Sequence, residues 1–295
     1  MKSGRWLKVG LTLVVLTSVI LFSCATRKAL SPYSGDPESG LQLQYMFPQD
    51  RALSYELLNE ISQEMEIMGQ TNRMNMKTTY TFQVQSKGMH ANYHNLDISL
   101  SDMGLDISGS QGSYSPNVSS IIGKNFAMTV STVGKELDLS EAEAMTYDLG
   151  PAGPRSISSD FQTIFPDLAD RPVKIGDSWV SRDTIVIASG SMDMSLMFAN
   201  VNTLEGVETV NGRECIRVAV EVSGTLTGSG NQGGVDLDMD GDIAASEIWY
   251  YAYKEGYFVK WNSDGETTGK ILASGPQNFT IPMTMTTKSR SVLLD

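Results

Sequence analysis

One short segment has the residue types and spacing of a calcium loop. Asp236-x-Asp238-x-Asp240-Gly241-x5-Glu247 puts carboxylates at positions 1, 3, 5 and 12 and glycine at position 6, the arrangement that gathers hard oxygen ligands around Ca²⁺. The flanking sequence favours a different element. The acids alternate with Val235, Leu237, Met239 and Ile243, and Glu247 leads into Ile248-Trp249-Tyr250-Tyr251-Ala252-Tyr253. Along a strand, carboxylates on one face stand ~6.6 Å apart, so the same residues also read as the solvated acidic face of a β-strand. His90-x3-His94 has a ligand-like spacing only on a helix, and this stretch is strand-like. Cys215 has no histidine near it in sequence, so it reads as a small packed side chain. The chain carries no G-x-S-x-G, H-E-x-x-H, C-x-x-C or P-loop pattern. A hydrolase here would have to work with paired carboxylates, which leave no local motif.

The second candidate chemistry is recognition of an apolar ligand. The chain holds 16 methionines, and several fall on one face of alternating segments. Met74, Met76, Tyr80 and Phe82 share a parity, as do Met192, Met194 and Phe198, while Met65, Met283 and Met285 repeat the pattern elsewhere. Methionine makes soft, adaptable apolar surfaces. These two sets are the candidate ligand-binding faces, with ordinary core filling as the competing assignment.

The elements that must carry these residues are strands. Leu41 to Phe47 alternates apolar and polar residues, and so does 53–67, although Leu53, Leu57, Ile61 and Met65 also fit a helix face. Met74 to Gln85 is a long amphipathic run rich in Thr and aromatics, so 53–67 and 74–84 are expected to form one long hairpin across Met68-Gly69-Gln70-Thr71. Shorter strands are expected at 92–100, 104–109, 124–133 and 135–139. Gly150-Pro151-Ala152-Gly153-Pro154 reads as a linker, Ser156 as the cap of a short helix to Phe165, and Gly224–Gly234 as a Gly-rich loop. Asn211-Gly212 and Lys254-Glu255-Gly256 are hairpin turns, and 280–292 is a closing strand. The turn, aromatic, glycine break and Met-x-Met strand of the first half recur around Asp177, Trp179, Gly190 and Met192. This reads as a diverged internal duplication, against the alternative that β-hairpins share such features.

The fold expected is therefore all-β, with long curved antiparallel sheets in a half-barrel, incomplete barrel or sandwich, and one short helix. The divisions are residues 24–40 as a flexible tether, 41–149 as an N-terminal β half, 150–155 as a linker and 156–295 as a C-terminal β half.

The N-terminus places the protein. Lys2, Arg5 and Lys8 precede an apolar run from Val9 to Phe22, 14 residues long, which suits a signal peptide better than the ~20 residues of a membrane span. Leu21-Phe22-Ser23-Cys24 resembles the lipobox of bacterial lipoproteins. That resemblance implies removal of residues 1–23, acylation of Cys24 and anchoring to a membrane, and Ala25-Thr26-Arg27-Lys28 after the cysteine implies the periplasmic face of the outer membrane. Loss of residues 1–23 removes three cations and no acid, taking the net charge from −12 to −15. Such a balance disfavours nucleic acid and anionic lipid surfaces as partners. Together with Lys174-Ile175-Gly176-Asp177-Ser178-Trp179, Asn211-Gly212-Arg213-x-Cys215 and the aromatic hairpin around Gly256, the lipobox resembles an uncharacterised Bacteroidetes lipoprotein family, from which no activity follows. The function expected is a lipid-anchored envelope protein without catalytic activity that binds an apolar ligand or an envelope partner. The alternatives are a β scaffold with no small ligand and a carboxylate-based hydrolase.

Overall fold

A computed structural model describes residues 33–110, 112–150, 153–189, 192–275 and 278–294. Cys24, the signal segment and the first part of the tether lie outside them. The described residues belong to one compact unit. It opens with a small hairpin, β1 (Tyr33–Asp36) and β2 (Gly40–Leu43). The Asp36 carboxylate accepts the N–H groups of Glu38 and Ser39, each at 2.9 Å, and Leu41 and Val173 exchange backbone bonds of 2.6 and 2.9 Å. The tether expected to run to residue 40 is therefore ordered structure from Tyr33 onward.

The rest is one antiparallel sheet. In chain order it contains β3 (Leu53–Ile67), β4 (Gln70–His90), β5 (Tyr93–Gly109), β6 (Gly112–Tyr114), β7 (Asn125–Ser131) and β8 (Glu136–Asp138). After α1 (Ser140–Glu143) come β9 (Thr146–Asp148) and β10 (Pro154–Ser156), then α2 (Ser158–Phe161). The chain ends in β11 (Ser178–Ser189), β12 (Met192–Val210), β13 (Arg213–Gln232), β14 (Val235–Ala252), β15 (Tyr257–Ser274) and β16 (Phe279–Leu294). The order across the sheet is β8-β7-β5-β4-β3-β16-β15-β14-β13-β12-β11-β10-β9, with β6 folded back on β5. The last strand seals to the first long one, from Met283 opposite Met65 to Leu294 opposite Ser54. The expected halves are thus continuous parts of one sheet. Of the supposed linker, Pro154 and Arg155 belong to β10, and Gly153 N–H bonds to Gly150 O at 2.9 Å; residues 151 and 152 lie outside the described residues.

Curvature follows from connectivity. The thirteen strands on this path would span about 58 Å if laid flat at ~4.8 Å per strand. Yet the two edge strands, β8 and β9, are consecutive in sequence, Asp138 ending one and Thr146 beginning the other. Eight residue steps reach at most about 28 Å. The sheet must curl until its edges nearly meet, which makes a half-barrel. Glycines let it bend. Gly224 faces inward on β13, where a Cβ would lie 2.3 Å from Met197 O; on β15 a Cβ at Gly269 would lie 2.2 Å from Asp240 O. The Gly-rich stretch from Gly224 is therefore strand, not loop, and the turn comes only at Gly233 and Gly234, with φ of 62° and 85°. At the other hairpin, Asn211 (φ 49°) and Gly212 (φ 75°) adopt the paired left-handed conformation that the Asn-Gly signal implies.

Polar side chains take the place of a strand along the free edge of β11, which pairs with β10 only at Ser189 opposite Arg155. Val186 N–H donates to Gln162 Oε1 at 2.9 Å, Lys135 Nζ to Arg182 O at 2.8 Å and an Arg171 N–H to Ser178 O at 2.8 Å. Such covering removes the pairing template that an open edge presents.

One end of the half-barrel is plugged. Ile157, Phe161, Ile164, Phe165 and Leu168 enter it from the α2 segment, and Leu41, Leu43, Tyr45 and Phe47 enter from the β2 side. Helix α2 is shorter than the expected helix to Phe165, and α1 was not foreseen; the residues after Phe161 turn inward as core. Phe161 stands edge-on to Tyr80, Phe82 and Phe126 at 6.0, 5.3 and 5.1 Å. The phenols buried here find acceptors, Tyr55 on Phe258 O at 2.9 Å and Tyr45 on Pro166 O at 2.8 Å.

Candidate functional site

Above this plug the half-barrel holds a partly open cavity of about 300 Å³. Its floor comes from the α2 segment, through Ser159, Asp160, Thr163, Ile164 and Asp167, and its walls from β3 and from β11 to β16. Because side chains alternate, each wall strand contributes every second residue, and successive inward residues change character with height. Near the plug stand Ser181, Asn200, Asn202, Glu247 and Ser263; Asp183 and Phe198 face each other on the next rung, and the farther lining is mostly apolar, with Ile185, Leu196, Ile243 and Met285 beside Thr267. Beyond them lies a second apolar cluster of Leu226, Met239, Ile271, Ile281 and Met283, with Met65, Met192 and Met194 packed on it. The cavity is therefore amphipathic along the barrel axis.

Charges in the polar belt are mostly paired. Lys135 Nζ lies 2.5 Å from Asp183 Oδ1 and 2.7 Å from Asp167 Oδ2, and Asn200 donates to Asp183 Oδ2 at 3.1 Å. Lys135 precedes β8 while Asp183 sits on β11, so this ammonium joins the two margins of the half-barrel. Burial works against the charged lysine, but the two carboxylates outweigh it and hold the ammonium protonated. Burial and the neighbouring Asp183 push Asp167 up to about 6, in spite of Lys135. Arg155 bonds to Asp160 Oδ1 at 2.7 Å, and Tyr80 donates to Asp160 Oδ2 at 2.6 Å. Glu247 is different. Its partners are neutral, the Trp261 indole N–H at 3.1 Å and the Ser263 hydroxyl, and burial raises its pKa.

The sequence-predicted sites fare unequally. Asp236, Asp238 and Asp240 lie on the outer, solvent face of β14, whereas Glu247 faces the interior. Carboxylates on opposite faces of a sheet cannot converge on one ion, so the calcium loop is not formed; among the described residues no group of three His, Cys, Asp or Glu could hold a metal. His94 is buried with Nε2 2.9 Å from Tyr45 O, and His90 rests against Tyr93 on the rim. Cys215 is fully buried, and burial pushes its thiol up to about 11.

Of the apolar candidates, Phe198 lines the cavity. Tyr80 and Phe82 are closed core against Phe161, Met76 borders a separate surface hollow, and Met74 is 36% exposed. The two methionine faces therefore do not oppose each other across the barrel. Met192 and Met194 pack with Met283 and Met239 instead, because the plug occupies the space in front of β4. Sequence reasoning missed Ser181, Asp183, Asn200 and Asn202. The available signal was parity: these polar residues interrupt inward faces that run Trp179, Ile185, Ile187 on β11 and Leu196, Phe198, Leu204 on β12.

No family model matches this chain, and no curated protein matches it. The solved structures similar to it include OccK5 (OpdH) of Pseudomonas aeruginosa, at 6% identity and TM-score 0.27 over 85% of this chain and 100% of that one. Another is an outer membrane channel of Pseudomonas putida, at 8% identity and TM-score 0.25 over 88% and 100%. Scores this low reflect long antiparallel strands and carry no argument about role.

Proposed function

We propose that this chain is a lipid-anchored envelope protein that seats the apolar part of a ligand in its half-barrel and performs no chemistry on it. The cavity carries the reading. At about 300 Å³, walled by Ile185, Leu196, Phe198, Ile243 and Met285 with polar groups at one end, it has the size and lining of a ligand pocket. The anchor rests on the lipobox around Cys24, and the residues after that cysteine support the periplasmic face of the outer membrane. Hydrolysis by paired carboxylates is the weaker reading. Both oxygens of Asp183 are engaged, by Lys135 and Asn200, which leaves Glu247 without a free second acid beside it.

The test is uptake of a neutral, polarity-sensitive dye such as Nile red. Wild type should bind it with a blue-shifted emission. Ala245→Phe, which fills the cavity between Gly265 and Ile243, should weaken uptake about tenfold or more while the circular dichroism stays strand-rich. Dye that binds the filled variant equally well would mean that the cavity is not the site. Cys24→Ala should release the protein from membranes, and unchanged fractionation would refute the anchor.

A further inference from the structure

The polar belt restricts what the head of such a ligand is. Five acids border the cavity; Glu266 is exposed on β15, while Asp160, Asp167, Asp183 and Glu247 are half-buried against it. The two cations against them, Arg155 and Lys135, are already held, the first by Asp160 and the second by Asp167 and Asp183 together. Glu247 faces the cavity with only the Trp261 indole and the Ser263 hydroxyl as partners. An anionic head would have to enter beside these carboxylates with both cations already paired to them, and like-charge repulsion of that kind rejects a ligand. A cationic head supplies what the belt lacks.

We infer that the ligand is a single-chain amphiphile with an ammonium head, which sits against Glu247 beside Trp261 while its chain runs up over Phe198, Leu196, Ile243 and Met285. This rests on the binding reading above and adds the class of head group. The amide oxygens of Asn200 and Asn202 and the Ser181 hydroxyl lie in the same belt and are acceptors for the remaining ammonium N–H groups. Free fatty acids, which share the chain but carry the opposite charge, are excluded.

Displacement of Nile red by dodecylammonium, dodecanol and dodecanoate, each below its critical micelle concentration and near neutral pH, tests the assignment. The amine should compete at least about tenfold better than the carboxylate, with the alcohol between them. Glu247→Gln should keep dye binding and shrink the amine-to-carboxylate ratio to within about threefold. Equal or better competition by dodecanoate in the wild type would overturn the assignment while leaving the binding reading intact, and so would an undiminished ratio in the variant. No dye uptake by the wild type would remove both. Should Glu247→Gln not fold, calorimetry in two buffers of different ionisation enthalpy serves on the wild type. At pH 5, where a carboxyl held above its ordinary range carries a share of protons, the ammonium should release more protons than the alcohol; equal proton release by both would refute the role of this residue, with Asp167, Asp183, Trp261 and Ser263 the other groups of the belt.

Discussion

Replacing Lys135 by Met should loosen the margins of the half-barrel, and should do so in a pH-dependent way. The ammonium meets Asp183, Asp167 and the Arg182 carbonyl at 2.5, 2.7 and 2.8 Å. Removing it leaves two carboxylates whose side chains are only 10% and 15% exposed, facing each other without a counter-ion. Breaking a fully buried pair costs about 3–5 kcal/mol and an exposed one about 0–1. The lysine side chain is 38% exposed, so a loss of about 2 kcal/mol near pH 8 is reasonable, or a fall in Tm of about 4–8 °C. The sign of the pH effect follows from Asp167, which is raised to about 6. A carboxyl raised in the folded state binds its proton better folded than unfolded. Its contribution is present at low pH and disappears as pH rises through about 6. Without the lysine the two acids push each other higher still, so the variant should recover much of its deficit by pH 5, where one of them holds a proton. Urea unfolding at pH 5 and 8 measures both numbers. An equal deficit at the two pH values would refute the electrostatic account, and so would failure of Asp167→Asn to restore stability in the Lys135→Met background.

Three further outcomes follow from the packing. Phe161→Ala should cost about 3–5 kcal/mol by urea unfolding, because the ring is fully buried among Tyr80, Phe82 and Phe126; a loss below about 1 kcal/mol would mean the plug contributes little to the core. Gly269→Ala should destabilise by about 2 kcal/mol or more, since its Cβ would meet the Asp240 carbonyl, while Gly206→Ala, with open space around it, should stay within about 0.5 kcal/mol. Millimolar calcium should leave Tm unchanged to within about 1 °C, and a rise that Asp238→Asn abolishes would reinstate the calcium loop.

Where one face is wet and the other packed, the sequence announced its strands. Residues 53–67 form β3 with the same limits, and the ambiguity with a helix face there is resolved by Tyr55 and Leu57, which continue the inward parity begun at Leu53. Alternation failed as a guide where glycine removed the side chains that would have carried it. Gly224, Gly228 and Gly230 occupy successive or nearly successive inward positions of β13, so the pattern vanished and the segment resembled a loop. At Gly224 the close approach of the Met197 carbonyl is what requires glycine, and such proximity is a property of the assembled sheet. The plug was hidden for a related reason. Residues 157–169 have no period of their own, being shaped by the interior they fill, and only the short α2 keeps a helical signature.

The same logic explains why the polar belt leaves little mark in the sequence. Asn200 and Asn202 carry no motif, and Asp183 is separated from Lys135 by 48 positions. Their meaning comes from the wall on which they stand. A polar residue on the inward face of a half-barrel either costs stability or has a partner: here Asn200 and Asn202 bond to Ser181, Asp183 and the Asn200 carbonyl on β11 and β12, while Asp183 also meets Lys135, which in turn holds Asp167 of the plug segment. That pairing fixes where the cavity turns from polar to apolar, because the pairs need the plug segment within reach. Above its top only side chains from the sheet remain, and these are mostly Ile, Leu, Phe and Met, with Thr267 among them. The axis of the cavity, and with it the orientation of any amphiphile inside, is thus set by how far the α2 segment intrudes. Glu247 stands beside Trp261 at that boundary with no cation of its own, which makes it the group whose replacement separates a ligand site from a plain structural void.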